Sequence, residues 1–116
     1  MEQNVKPTAR AQHKYLRQSP QKVRLVVDMV RGMPVTQALN VLRFSTKRAA
    51  VPVYKAVKSA AANAEDTLGL SADDLVISRI YADEGPTMKR ARFGARGRYK
   101  PVLKRSSHIT VVVTEK

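Results

Sequence analysis

Cysteine is absent from the 116 residues of this chain, and acidic side chains are few, with nine Asp and Glu against 22 Lys and Arg. Without cysteine the protein has no disulfide framework, no thiolate nucleophile and no cysteine-containing zinc site. Residues 1–6 lack an apolar signal region, and no run approaches the roughly 18 apolar residues that a membrane span requires. We therefore expect a soluble, cytoplasmic protein with no membrane partner.

Residues for catalysis are also scarce. His13 and His108 lie far apart in the sequence, and neither has a carboxylate at the spacing of a metal site or a catalytic triad. The acidic residues come mainly as the adjacent pairs Glu65-Asp66, Asp73-Asp74 and Asp83-Glu84, and neighbours in a regular element do not present two carboxylates to one substrate. No glycine-rich phosphate loop followed by Lys-Ser/Thr is present. The sequence predicts a protein that is not an enzyme and that has no metal site and no cofactor.

What the chain does have is positive charge. Its formal net charge is +13 at pH 7. A charge of this size repels itself in the folded state, and it is usually tolerated because a partner of opposite charge neutralises it. The sign and the size both indicate a nucleic acid as that partner.

The positive charge is concentrated in one stretch near the C-terminus. Between Gly85 and Thr114 there is no acidic residue. Residues 75–82 and 108–114, on either side, are rich in β-branched and aromatic side chains and are predicted strands. If these strands pair symmetrically, the chain reverses near residues 94–97, where Gly94 and Gly97 would supply the positive φ angles of a tight turn. The sequence thus predicts a β-hairpin arm over residues 83–106, on the order of 35 Å long at about 3.3 Å per residue.

This arm has too few apolar residues to hold itself rigid, because an isolated two-stranded hairpin is marginally stable in water. A polyanion would order it, since Lys and Arg that neutralise phosphates release counterions. The alternative is a disordered basic loop with no specific partner.

The rest of the chain predicts an edge strand and three helices. Residues 9–17 are too polar for a core helix and suit a sheet edge. Ser19 as N-cap, Pro20 at the first helical position and Gly32 at the end define the first helix, with Leu25 and Met29 widening its apolar face. Pro34 precedes a short second helix. The third begins near residues 45–46, unless Pro52 kinks it or delays its start, and the acidic stretch 65–74 is predicted to be a connection.

These elements predict an α+β fold, with three helices packed on a small antiparallel three-stranded sheet and a long projecting β-hairpin. The chain forms a single domain, 1–116. Its globular body comprises about residues 9–82 and 107–114, and its extended basic hairpin about residues 83–106.

Four motifs, in order along the chain, resemble one known family. They are Ser19-Pro20-Gln21-Lys22-Val23-Arg24-Leu25-Val26, Ala61-Ala62-Asn63-Ala64, Asp83-Glu84-Gly85-Pro86-Thr87-Met88-Lys89-Arg90, and Lys104-Arg105-Ser106-Ser107-His108-Ile109-Thr110. The chain resembles the bacterial large-subunit ribosomal protein L-twenty-two family from about residue 9 to residue 114.

The resemblance implies a structural constituent of the large ribosomal subunit in the cytoplasmic ribosome. A member of this family binds 23S ribosomal RNA, supports subunit assembly and lies beside neighbouring large-subunit proteins. Its hairpin tip lines the nascent-peptide exit tunnel near the macrolide site, where it meets the nascent peptide. The chain departs from the family at Gly94, where a proline is common, and at Tyr99, where a small residue is common, so the shape of the turn is open. When isolated, the protein is expected to be monomeric.

Two sets of site residues follow. The predicted RNA-binding residues are Lys14, Arg17, Lys22, Arg24, Lys89, Arg90, Arg92, Arg96, Arg98, Lys100, Lys104, Arg105 and His108. The predicted tunnel-lining tip is Met88, Lys89, Arg90, Arg92, Phe93, Gly94, Ala95 and Arg96. The aromatic residues Phe93 and Tyr99 either stack on unpaired bases or pack across the hairpin.

Two rival functions remain at this point. A DNA-architectural protein would also use a basic β-ribbon, but such proteins usually dimerise through a large apolar surface and insert an apolar wedge. A cationic membrane-active protein would need a helix with one basic and one bulky apolar face, whereas the cations here are concentrated on the arm.

Overall fold

The computed structural model describes residues 7–116, with the backbone alone at residues 92, 93, 95 and 99–102. The main elements, in chain order, are β1 (Thr8–Leu16), α1 (Pro20–Val30), α2 (Val35–Arg43), α3 (Ala50–Leu68), β2 (Leu75–Glu84), β3 (Met88–Phe93), β4 (Tyr99–Lys104) and β5 (Ser107–Glu115). Short 3-10 turns occupy Ala72–Asp74 and Ala95–Gly97. The predicted α+β class is confirmed. None of the helices described is long and apolar enough to cross a lipid bilayer.

The core lies between the helices and one face of an antiparallel sheet with the strand order β1-β5-β2. Ile109, Val111 and Val113 of the central strand β5 are fully buried, as their alternation predicts. The opposite face is less open than the alternation suggests, because Thr110 is also buried. Its small side chain lies between two flanking strands, and its Oγ1 accepts a hydrogen bond from Gln12 Nε2 of β1 at 3.3 Å.

A bulge in β2 explains an apolar pattern that simple alternation does not. Ile77 lies opposite Val113 and Arg79 lies opposite Val112, so Ser78 is an extra residue on the β2 side. Beyond the bulge the phase changes by one residue, and Ile80 joins Ile77 on the buried face.

The first helix starts where Pro20 predicts and stops just before Gly32, but the predicted cap bond and the predicted widening of its apolar face are wrong. The Ser19 hydroxyl makes no capping hydrogen bond. The helix ends at Val30, before a type II turn in which Arg31 (φ −61°, ψ 128°) and Gly32 (φ 78°) take the two central positions. On the outer side of α1, Leu25 is 57% exposed and Met29 is 37% exposed, so neither widens the buried face.

Proline controls the start of the third helix. The predicted start near residues 45–46 is wrong, but the later start that Pro52 allowed is confirmed. The helix α3 begins at Ala50, which places Pro52 in the first turn, where its missing N–H costs nothing. The end is also later than predicted, because Glu65 and Asp66 belong to α3 and Gly69 closes it at φ 66°.

Both edges of the sheet are covered by side chains from the helices. On β2, the carbonyl of Ala82 accepts from Arg24 Nε at 3.1 Å, and the carbonyl of Ile80 accepts from an Arg31 Nη at 3.0 Å. On β1, the carbonyl of Arg10 accepts from Asn63 Nδ2 at 2.9 Å. These contacts satisfy backbone groups that an edge strand would leave open.

The arm continues the β2–β5 pair as the β3–β4 ribbon, from the Met88–Lys104 pair to the Phe93–Tyr99 pair. The turn lies at residues 94–98, as predicted from symmetric pairing. The glycine prediction is half right, because Gly97 has φ 70° but the second positive φ belongs to Arg96 (61°) and not to Gly94. The molecule is elongated, at 66 × 36 × 22 Å.

Candidate nucleic-acid interface

The arm meets the body at a short break in the ladder, which we call the neck (residues 85–87 and 105–106). Glu84 is the last β2 residue paired with β5, opposite Ser107. Beyond it the Gly85 N–H donates to the Ser106 carbonyl at 2.9 Å, and Ser106 Oγ donates to the Pro86 carbonyl at 2.6 Å. Three residues face two across the neck, so the ladder shifts by one position before β3 begins.

Gly85 has little room for a side chain at the neck. A Cβ placed on Gly85 would lie 2.6 Å from Ser106 Oγ and 3.2 Å from His108 Cε1. The strand can approach the imidazole this closely because Gly85 has no side chain. His108 is thus a packing residue of the neck.

The same imidazole holds the end of β1. Its Nδ1 accepts a hydrogen bond from the Tyr15 backbone N–H at 3.0 Å. The two rings meet edge to face, with centroids 4.9 Å apart and planes at 86°. Tyr15 lies in a bulge between His13 and Leu16 and has φ 59°, a left-handed conformation that is uncommon for a residue other than glycine.

Beside the neck lies a large groove of about 1120 Å³, which we call the neck groove. It is bounded by the end of β1, the first turn of α1, the segment before α3 and the base of the arm. Seven cations line it, and no acidic residue does so within the part of the chain that the structure describes. The cations are Arg17, Lys22, Lys47, Arg48, Arg90, Lys104 and Arg105.

These seven side chains are all exposed. Among the residues described, Arg31–Asp28 is the sole ion pair, and it lies outside the groove. The groove cations therefore have no carboxylate partner in that part of the chain, and their charges add to one positive potential.

Two helices strengthen this potential. Ser19, the residue before α1, and Ala49, the residue before α3, both line the groove. Neither helix has an acidic residue in its first turn or a side-chain hydrogen bond at its N-cap. The partial positive charge of each helix start thus adds to that of the cations.

Predicted RNA-binding residues that are distant in sequence lie together in the groove, with two further cations that the sequence analysis missed. Arg17, Lys22, Arg90, Lys104 and Arg105 were predicted and lie together in it. Lys47 and Arg48 were not predicted, because the helix was expected to begin before them. The signal that could have found them is Pro52, since a helix start at residue 50 leaves the Lys-Arg pair in the preceding loop.

Other predicted RNA-binding residues lie elsewhere. Lys14 is exposed on the edge strand β1, while Arg24 and His108 already make the intramolecular contacts described above. Lys89, Arg96 and Arg98 are exposed along the arm. The side chains of Arg92 and Lys100 lie outside the described residues.

The predicted tip set is spread along the whole length of β3. Met88 forms the first pair of the ribbon with Lys104, and both Met88 and Arg90 line the neck groove. Of that set, Gly94, Ala95 and Arg96 belong to the turn. The set therefore combines residues from the base and the end of the arm, and the side chains of Arg92, Phe93 and Ala95 lie outside the described residues.

Nothing in the described part of the chain assembles a metal site: no group of three or more His, Cys, Asp or Glu side chains converges there. What the geometry offers is an exposed cationic surface that runs from the body along the arm. Such a surface suits the binding of phosphates.

Comparison with known proteins points to a ribosomal family. A sequence model of the family described as Ribosomal protein L22p/L17e matches residues 11–114. Among curated relatives, the Large ribosomal subunit protein uL22 of Magnetococcus marinus is 58% identical over 105 residues, which cover 90% of this chain and 93% of the relative. The matched range runs from β1 to β5, and so includes the neck, the groove and the arm.

Proposed function

The chain belongs to the family described as Ribosomal protein L22p/L17e, and from this premise we propose that it binds 23S ribosomal RNA through its arm and its neck groove. Membership of the family makes it a structural protein of the large ribosomal subunit, in the cytoplasmic ribosome. We propose that it acts by binding and holding RNA, without catalysis and without a cofactor.

The observation that carries this proposal is the neck groove. Seven exposed cations from the body and the arm line one surface with no carboxylate among its described residues. Ribosomal RNA has one negative charge per nucleotide, and phosphates that replace counterions along such a surface give strong, salt-dependent binding. Arg17, Arg90 and Arg105 each have a guanidinium that can bind a phosphate through two hydrogen bonds.

The division of the chain into a body and an arm suggests two tasks. We propose that the body, about residues 9–82 and 107–114, lies against RNA and neighbouring large-subunit proteins. The arm, about residues 83–106, extends among RNA segments and supports assembly by joining them. Its turn at residues 94–98 lines the nascent-peptide tunnel near the macrolide site. An elongated molecule of 66 Å with an arm that pairs with no third strand among its described residues supports this role.

A salt titration with charge-matched variants tests RNA binding. The full chain and purified 23S ribosomal RNA are titrated by filter binding between 50 and 200 mM salt. The double variant Lys104→Gln/Arg105→Gln removes two groove cations, while Lys55→Gln/Lys58→Gln removes two cations from α3 that do not line the groove. We expect the slope of log K against log salt to fall by about one per lost phosphate contact in the first variant only.

Two outcomes would contradict the proposal. Equal losses in the two double variants would show that net charge alone, and not the groove, drives binding. Equal affinity for a random-sequence DNA duplex, together with a dimer in size-exclusion chromatography, would favour the DNA-architectural alternative. A monomer with preference for the RNA is the expected result.

A further inference from the structure

Tyr15 is an aromatic residue of the neck groove to which the sequence analysis assigned no role. Its side chain is 67% exposed, which is unusual for a large ring at the end of a strand packed into a sheet. It lines the groove together with Arg17, Lys22, Lys104 and Arg105.

The backbone at Tyr15 is held in a conformation that a tyrosine disfavours. Its φ of 59° is in the left-handed region, and such strain persists where surrounding contacts maintain it. Here those contacts are the hydrogen bond from its N–H to His108 Nδ1 and the edge-to-face contact of the two rings. Both hold the tyrosine against the neck and fix where its ring lies.

The contact with His108 covers at most one face of the tyrosine ring, and Tyr15 is 67% exposed. In an edge-to-face pair, one ring presents its edge to the face of the other. If the histidine edge meets the tyrosine face, the histidine covers one tyrosine face; in the opposite arrangement it covers neither. A fixed, exposed aromatic face surrounded by cations has the features of a base-stacking platform in single-strand binding proteins.

We propose that Tyr15 stacks on one unpaired base of RNA, while the phosphates on either side of that base lie on the cations of the neck groove. The inference rests on the proposed RNA binding and specifies one contact within it. An unpaired nucleotide is required because the bases of a continuous A-form duplex stack on each other and do not offer a free face.

A single tryptophan provides a direct reporter. The chain contains no tryptophan, so Tyr15→Trp introduces one fluorophore at the platform. The probes are a 12-nucleotide oligoadenylate RNA, a strand of the same length without bases, and an A-form RNA duplex. We expect strong quenching by the oligoadenylate and weak quenching by the other two. The control is Tyr81→Trp, because Tyr81 is 40% exposed on β2 and does not line the groove.

Affinity measurements separate stacking from folding. Tyr15→Phe retains the ring, whereas Tyr15→Asn removes it and places in the left-handed region a residue that tolerates it. We expect Tyr15→Phe to bind 23S ribosomal RNA like the natural chain. We expect Tyr15→Asn to bind about 5- to 150-fold more weakly, the range for one lost base stack, with an unchanged salt slope. Loss of the ring contact with His108 and relief of the left-handed strain at residue 15 act in opposite directions, so the melting temperature should change little.

The outcomes distinguish the two proposals. If Tyr15→Asn binds as tightly as the natural chain, or if abasic and oligoadenylate strands quench the fluorescence of the Tyr15→Trp variant equally, the stacking inference is overturned while RNA binding stands. If the natural chain does not bind 23S ribosomal RNA, the proposed function itself fails. Loss of binding in Tyr15→Asn with a shallower salt slope would show a lost phosphate contact and would also overturn the stacking role.

Discussion

The body and the arm of this protein are built from the same kind of strand pairing but are held together differently. The body buries Ile109, Val111 and Val113 of its central strand completely, whereas Met88 and Leu103 of the arm are 40% and 47% exposed. Burial of apolar side chains is the main force that folds a domain. The body therefore has a buried core to stabilise it, whereas the described arm has mainly the backbone pairing of its two strands.

The two regions also treat their strand edges differently. In the body, Arg24, Arg31 and Asn63 cover carbonyl groups on both outer strands. In the arm, β3 and β4 pair only with each other within the described chain, so both are edge strands. Closely spaced cations discourage pairing with another protein strand and favour an anionic partner.

Hydrogen exchange gives the largest expected contrast. Amides of β5 should exchange at the rate set by global unfolding, while amides of β3 and β4 in the free protein should exchange at least roughly 10³-fold faster. In assembled large subunits, we expect the arm amides to become protected. Fast exchange of the arm in the particle would contradict an RNA-ordered arm and its tunnel-lining role.

Truncation of a core side chain and of an arm side chain should give the next largest difference, measured as the free energy of unfolding. Ile109→Ala should lower the free energy of unfolding by about 2–5 kcal/mol, because it leaves a cavity in a fully packed site. Leu103→Ala, in the half-exposed position of the arm, should cost less than about 1 kcal/mol. Denaturant unfolding of the two variants measures the difference. Similar losses would mean that the arm belongs to the cooperative core.

The neck provides a test of the junction itself. Gly85→Ala should destabilise the protein by about 1–3 kcal/mol, because the new Cβ would lie 2.6 Å from Ser106 Oγ. In the background of Ser106→Ala that oxygen is absent, so the added cost should be smaller. A double-mutant cycle by thermal unfolding measures the coupling free energy between Gly85→Ala and Ser106→Ala. Additive effects would show that Ser106 is not what restricts Gly85.

Loss of a side chain that covers a sheet edge is expected to have a moderate effect on the free energy of unfolding. Arg31→Gln removes the hydrogen bond to the Ile80 carbonyl and should cost about 0.5–1.5 kcal/mol. Its exposed ion pair with Asp28 adds little. Arg79→Gln is the matched control, because Arg79 is exposed on β2, next to the Ile80 whose carbonyl Arg31 binds. Equal stability of the two variants in denaturant unfolding would argue against a structural role for Arg31.

The smallest effect is expected at Ser107. Its Oγ is buried and has no hydrogen-bond partner among the described residues. Ser107→Ala should therefore be neutral or stabilise the protein by up to about 1 kcal/mol in thermal unfolding. A clear loss of stability would show that the hydroxyl has a partner.

Periodicity and turn residues predicted most of the body. Alternation along residues 108–114 identified the buried face of β5, and Pro20 located the start of α1. Two predictions for the first helix were wrong. Ser19 makes no capping hydrogen bond, and Leu25 is exposed although its neighbours are buried. The bulge at Ser78 could not be read from the sequence, because it depends on which residue of β5 lies opposite.

For the candidate site, the sequence showed where the positive charge is concentrated, but it did not show which residues lie together in space. The run of cations without acids identified the arm, because composition alone determines the charge of a segment. Lys47, Arg48 and Tyr15 join the groove only through the packing of α3 and β1 beside the neck.

By itself, the sequence determined most of the helices and strands, the hairpin and the sign of the protein's charge, since these follow from local patterns and from total charge. The tertiary structure alone decided that a groove exists and that Tyr15 lies exposed within it. It also decided that His108 and Arg24 hold the fold together. The reason is physical: a side chain's neighbours depend on contacts between residues that are far apart in the chain.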